Sequence, residues 1–137
     1  MKQEDKELLL KDLSARLPYG VKVAIEFSKG KYTKVYDLRE IDNDNTAELR
    51  QQVTVWNYGF YSSVISYPLI DCRPYLRPMS SITEEEKKEH FGRTMTIDIV
   101  QTSKEVIDWL NAHHIDYRGL IERGLALEAP EGMYGFK

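Results

Sequence analysis

The sequence predicts an α+β protein. It reads as a single domain with a mainly antiparallel sheet of about four to five strands, packed against an N-terminal helix and a C-terminal helix. Three observations predict this. Leucines recur at helical spacing near the start, residues 21–70 are rich in alternating β-branched and aromatic residues, and helical patterns return at 84–90 and after 103. At 137 residues, such a chain buries roughly two-thirds of its unfolded surface and folds without a metal or disulfide. The domain is expected over 1–130, with 131–137 as a flexible tail.

The first helix is predicted over 5–17. Leu9, Leu10, Leu13 and Leu17 form its apolar stripe, Lys6, Lys11 and Asp12 lie outside it, and Pro18 stops it. A hairpin follows. Val21, Val23, Ile25 and Phe27 share one face, Lys22, Ala24 and Glu26 the other, and Gly30 supplies the positive φ of the turn before the return strand 32–38. Residues 39–48 read as a polar loop. Asp42 to Asn45 imitate the start of a calcium loop, but such a loop needs Gly at position 47 and Glu at 53, where Ala47 and Val53 stand, so the run reads as an Asx-rich turn.

Residues 51–70 contain no charge over a length that could span a bilayer. Their glutamines, serines and Pro68, set among Val, Ile, Tyr and Trp, suit strands instead. The first strand, around 53–58, has apolar groups on both faces. A turn at 57–59 or at Ser62–Ser63 leads into a second strand, 64–67. Trp56, Tyr58, Phe60 and Tyr61 form an aromatic run that would mark an interface if exposed.

The passage RPYLRPMSSITEEEKKEH, residues 73–90, holds an extended segment followed by a short surface helix near 84–90. Pro74 and Pro78 are four apart, not the three of a polyproline ligand, and suit a segment along the sheet edge with Tyr75 and Leu76 beneath it. Thr83 and Glu86 form a capping box, acids fill the first turn, Lys87, Lys88 and His90 the last, and Glu84 sits four residues from Lys88. Arg73, Arg77, Ser80 and Ser81 supply the ingredients of an anion site, opposed by Glu84 to Glu86 and by the lack of a glycine-rich turn. The exposed charge of this helix offers a surface to a partner.

A strand is predicted over 94–100 and a helix, opened by Thr102 and Ser103, from there to about 113. Ile107, Leu110 and His114 share its stripe, so His114 points at the core or its margin, with Asp116 placed to fix its tautomer. His113 and His114 diverge by about 100° on a helix and do not chelate one ion. Gly119 and Gly124 bracket one helical turn before a short strand at 125–129.

The passages PYLRPMSSITEEEK and DWLNAHHIDYRGLIERGLALEAPEGMY, with LLLKDLSARLPYGVKV near the start, resemble a group of small hypothetical proteins encoded by gut anaerobic bacteria and their phages and other mobile elements. The resemblance implies a small bacterial protein accessory to mobile-element biology and carries over no activity or catalytic residue.

Net charge is -3, which does not advertise a nucleic-acid footprint. A basic face would need Lys22, Lys29, Lys31 and Lys34 together, with Lys22 and Lys34 beside Tyr36. The single cysteine, Cys72, fits a reducing cytoplasm, and the acidic N-terminus is no signal peptide. No nucleophile elbow, phosphate loop, metal-ligand set or cofactor motif appears. The reading is a non-enzymatic cytoplasmic interaction module with a protein partner or self-association. The alternative is a small-anion or nucleotide binder, or a minor hydrolase, using Arg73, Arg77, Ser80 and Ser81 or His113, His114 and Asp116.

Overall fold

A computed structural model describes residues 2–27, 29–30, 32–42, 45–55, 59–90 and 104–134. The protein is α+β, and its strands pair mainly antiparallel. The chain divides into two compact units, Met1–Tyr75 and Leu76–Lys137.

The first unit opens with α1 (Gln3–Arg16), which runs into a 3-10 turn, Leu17–Tyr19, with Pro18 in its first residues. Gly20, at φ 72, ends it in the left-handed conformation that glycine adopts without strain. The buried face of α1 is Leu9, Asp12, Leu13 and Arg16, which corrects the placement of Asp12 outside the stripe. Asp12 and Arg16 stand four residues apart, both with fully buried side chains, and Arg16 Nε donates to Asp12 Oδ2 at 3.0 Å. Pairing is what admits these charges to an apolar face, because a lone buried charge is far costlier. Leu17 is only half-buried.

A meander of long strands follows: β1 (Lys22–Phe27), β2 (Tyr32–Ile41), β3 (Thr46–Val55) and β4 (Gly59–Pro68), each antiparallel to the next. Val21, Val23 and Ile25 are buried as their alternation predicts, and Lys29 and Gly30 both take positive φ between β1 and β2. Ala24, expected on the outer face, is buried as well. The loop expected over 39–48 is much shorter. β2 extends to Ile41 and β3 begins at Thr46, where Asp42 Oδ1 accepts from the Thr46 N–H at 2.9 Å and Asn45 stands at φ 59. A register shift between Leu38 and Glu40 places a bulge there, beside the ion pair of Arg39 with Glu48 at 2.7 Å.

Within the uncharged stretch 51–70, residues 51–55 and 59–68 are strand, as the composition predicts, and a 3-10 turn, Leu69–Asp71, follows. Ser62 and Ser63 pair with Gln52 and Gln51 inside β4, so they are not a turn. α1 packs against the Leu69–Asp71 turn. Burial, with the charge of Asp71 beside it, pushes the Cys72 thiol up to about 12, so it stays protonated and unreactive at neutral pH.

The boundary between the units falls within β5 (Arg73–Pro78). Its first residues pair with β1, through Val23 with Pro74 and Ala24 with Arg73. In the second unit, β5 continues beside β6 (Ile115–Asp116), parallel to it, and also pairs with β7 (Leu127–Glu128). The segment expected at a sheet edge is thus a paired strand, and its prolines, at the second and last positions, leave N–H groups for the ladder between them. Leu76 is fully buried and Tyr75 half-buried.

The second unit also holds a 3-10 turn, Met79–Ser81, then α2 (Glu84–His90) and α3 (Lys104–Ala112). Ile82, Val106, Trp109, Leu110 and Ile115 form its core, with Met79 and Tyr117 against it. Gly119 and Gly124 take φ of 78 and 75 around a turn, and β7 follows where the short strand was expected. Residues 131–134 form another turn, closed by the Met133 N–H on the Pro130 carbonyl. The strand expected over 94–100 and the helix start at Thr102 and Ser103 lie outside the described residues.

Candidate functional site

Among the described residues of the second unit, the most connected polar cluster is built around the start of α2. The capping box forms as its spacing predicts: the Glu86 N–H donates to Thr83 Oγ1 at 3.1 Å, and the Thr83 N–H donates to Glu86 Oε1 at 3.0 Å. Arg77, on β5, clamps the same carboxylate in two places, Nη2 to Oε1 at 2.8 Å and Nη1 to Oε2 at 3.1 Å. Arg77 Nε donates to Ser81 Oγ at 3.3 Å and Nη2 to the Ser81 carbonyl at 3.1 Å, while the Ser81 hydroxyl donates to the Pro78 carbonyl at 2.7 Å. One guanidinium therefore ties β5, the 3-10 turn and the helix start together. Burial opposes ionisation of Glu86, but the hydrogen bonds and charge of Arg77 with the two bonds to Thr83 outweigh it, and the carboxyl is held down at about 2.

These contacts bear on the anion-site reading of these residues. The place an anion would take opposite Arg77 is filled by Glu86, and the Ser81 hydroxyl is engaged with the backbone. Ser80 is exposed and outside the cluster. Arg73, in the first unit, is ion-paired with Glu26 at 2.8 Å. Glu84 meets Lys87 at 3.3 Å rather than Lys88, as the three-residue step allows.

The two histidines follow α3 and serve different rings. His113 stacks on Trp109, with ring centroids 4.1 Å apart, and its Nδ1 lies 3.0 Å from the Trp109 carbonyl, so that nitrogen carries the proton. His114 is buried at φ 57, stacks on Tyr134 at 4.0 Å, and its carbonyl accepts from the Arg77 N–H at 2.7 Å. Burial of His114 agrees with the sequence reading, but Asp116 has another task than its tautomer. Asp116 Oδ1 accepts from the Leu120 N–H at 2.9 Å and Oδ2 from the Ile121 N–H at 3.0 Å, capping the turn that Gly119 opens. Among the described residues, no three or more His, Cys, Asp or Glu gather where they could hold a metal.

Beside the cap is a cavity of about 360 Å³. Arg77, Pro78, Ser81 and Thr83 line one part and residues 128–134 the rest. Sequence reasoning reached Arg77 and Ser81 but missed Glu128, Glu131, Met133 and Tyr134. No local pattern connects 128–134 with 77–83. The Ala129 N–H on the Leu76 carbonyl at 2.8 Å joins the segments only once the chain folds. Neither Glu128 nor Glu131 has an ion pair among the described residues, and both are exposed.

In the first unit, Lys22 and Lys34 stand on opposite faces of the hairpin. Lys22 is across from Asp37, to which it donates at 2.7 Å, while Lys34 is across from Ile25, and Tyr36 is buried. The basic face that nucleic-acid binding would need is therefore split between these two lysines. Trp56 and Tyr58 lie outside the described residues, and Phe60 and Tyr61 stand on β4 opposite Thr54 and Val53. No helix among the described residues is long and apolar enough to cross a membrane. Compared with known proteins, the chain matches no family model, no curated protein and no solved structure.

Proposed function

We propose that this chain is a non-enzymatic interaction module, a cytoplasmic bacterial accessory protein of the mobile-element kind its sequence resembles. The observation that carries the reading is how its reactive groups are used. Arg77, Ser81, Thr83, Glu86, His113 and Asp116 all hold backbone or one another in place. A nucleophile needs a base within reach and a third group orienting that base, and these side chains are spent on architecture instead.

The anion-binding alternative draws on the cavity, whose volume is at the low end for ligand pockets. Its lining opposes an anion, because Arg77 is already neutralised by Glu86 and the remaining charges are Glu128 and Glu131.

The test joins a thermal-shift panel of divalent metals, nucleotides and phosphate to cross-linking of the tagged full chain in bacterial lysate, with linked positions mapped. The reading expects a flat panel and a reproducible partner, or a second copy, linked at one surface. A ligand at a hundred times its Kd adds about 2.7 kcal/mol, several degrees for a domain of this size. Such a shift from zinc or a nucleotide, with no linked partner, overturns the proposal.

A further inference from the structure

We propose that the cavity beside the α2 cap receives a lysine or arginine side chain from a basic peptide segment of a partner protein. The inference rests on the interaction reading and gives it a place and a chemistry.

Charge selects the occupant. Three residues charged at neutral pH line the cavity, Arg77, Glu128 and Glu131. The Arg77 guanidinium is closed off by its two bonds to Glu86. That leaves two exposed carboxylates, each without an ion pair among the described residues, to set the field an incoming group meets. A cation is attracted there, while an anion would face two like charges with no open counter-charge.

Size and lining narrow it further. At about 360 Å³ the space suits a side chain and its adjoining backbone better than a folded surface. Pro78, Met133 and Tyr134 offer apolar area to a methylene stem, while the carboxylates take the charged head. Two of the lining groups are already held: Tyr134 by its stack on His114 and Arg77 by Glu86 and Ser81. Walls set in advance lower the ordering cost of binding.

The test titrates isotopically labelled full-length protein with capped pentapeptides of alanine carrying a central Lys, Arg, Leu or Glu, and follows backbone amide shifts. The Lys and Arg peptides are expected to move amides of 77–83 and 128–134, while the Leu and Glu peptides leave them in place. Combining Glu128→Gln with Glu131→Gln, both at exposed positions, should weaken the Lys and Arg peptides about tenfold and keep the rest of the spectrum. Equal response to Leu or Glu peptides, binding that survives in the double variant, or no response to any peptide overturns the site. Cross-links mapped elsewhere on the chain would remove this site and leave the interaction reading standing. A chain that links to nothing and moves with no peptide would remove both.

Discussion

The two units solve the burial of polar groups differently. In Met1–Tyr75, long antiparallel strands satisfy the backbone through their own ladders, and the described side-chain ion pairs of the sheet, such as Lys22 with Asp37 and Arg73 with Glu26, are substantially exposed. A fully buried pair, Asp12 with Arg16, lies within a single helix. In Leu76–Lys137 the strands β6 and β7 have two residues each, and side chains do the joining. Arg77 spans strand, turn and helix, and Asp116 holds two N–H groups of the turn at Leu120. Where regular ladders are short, polar side chains take over the satisfaction of buried backbone groups, and single polar substitutions there carry structural cost.

The largest test of this contrast is in the first unit. Asp12→Asn removes the charge partner of a fully buried guanidinium and should cost about 3–5 kcal/mol in urea unfolding. A loss under about 1 kcal/mol would show that α1 tolerates the loss of this pairing, and the contrast would then weaken.

Next comes Glu86→Gln, which can still cap the helix but loses its charge against Arg77. The folded carboxyl sits at about 2, below its ordinary 4.5. The unfolded chain therefore binds the proton more readily, and the stabilisation is present at neutral pH. It should be on the order of 3 kcal/mol, and is lost as pH falls from about 5 towards 2. Unfolding curves of wild type and variant should differ at pH 7 and converge near pH 2. Curves that stay parallel would assign the cost to packing.

Asp116→Ala should cost about 2 kcal/mol by leaving the Leu120 and Ile121 N–H groups without their acceptor. Its sharper readout is hydrogen exchange, which should accelerate at those two amides before the rest of the unit. Thr83→Ala, the smallest, should cost about 1 kcal/mol, because Glu86 can still reach back to the N–H at position 83. An equal loss from Thr83→Ala and Asp116→Ala would break the ranking.

Legibility followed sequence distance. The capping box could be read because its partners are three residues apart, within one turn whose geometry is known in advance. The alternation in β1 and the turn at Gly30 were legible for the same reason. Asp12 was misplaced because composition alone assigns a carboxylate to solvent, and only Arg16 on the buried face reverses that. The role of Asp116 was missed because the N–H groups it accepts from become available only when the turn after Gly119 brings them back to β6.

By itself the sequence determined the α+β class, the first helix and hairpin, the strand character of 51–55 and 59–68, the cap of α2 and the position of β7, all from periodicities and short-range bonds that a few neighbouring residues specify. Tertiary structure decided which charges are buried, that Arg77 closes on Glu86 rather than standing open to an anion, and that 128–134 meets 77–83 around a cavity. Those depend on contacts between distant segments, and a side chain's partner is set by where folding leaves it, not by its neighbours in the chain.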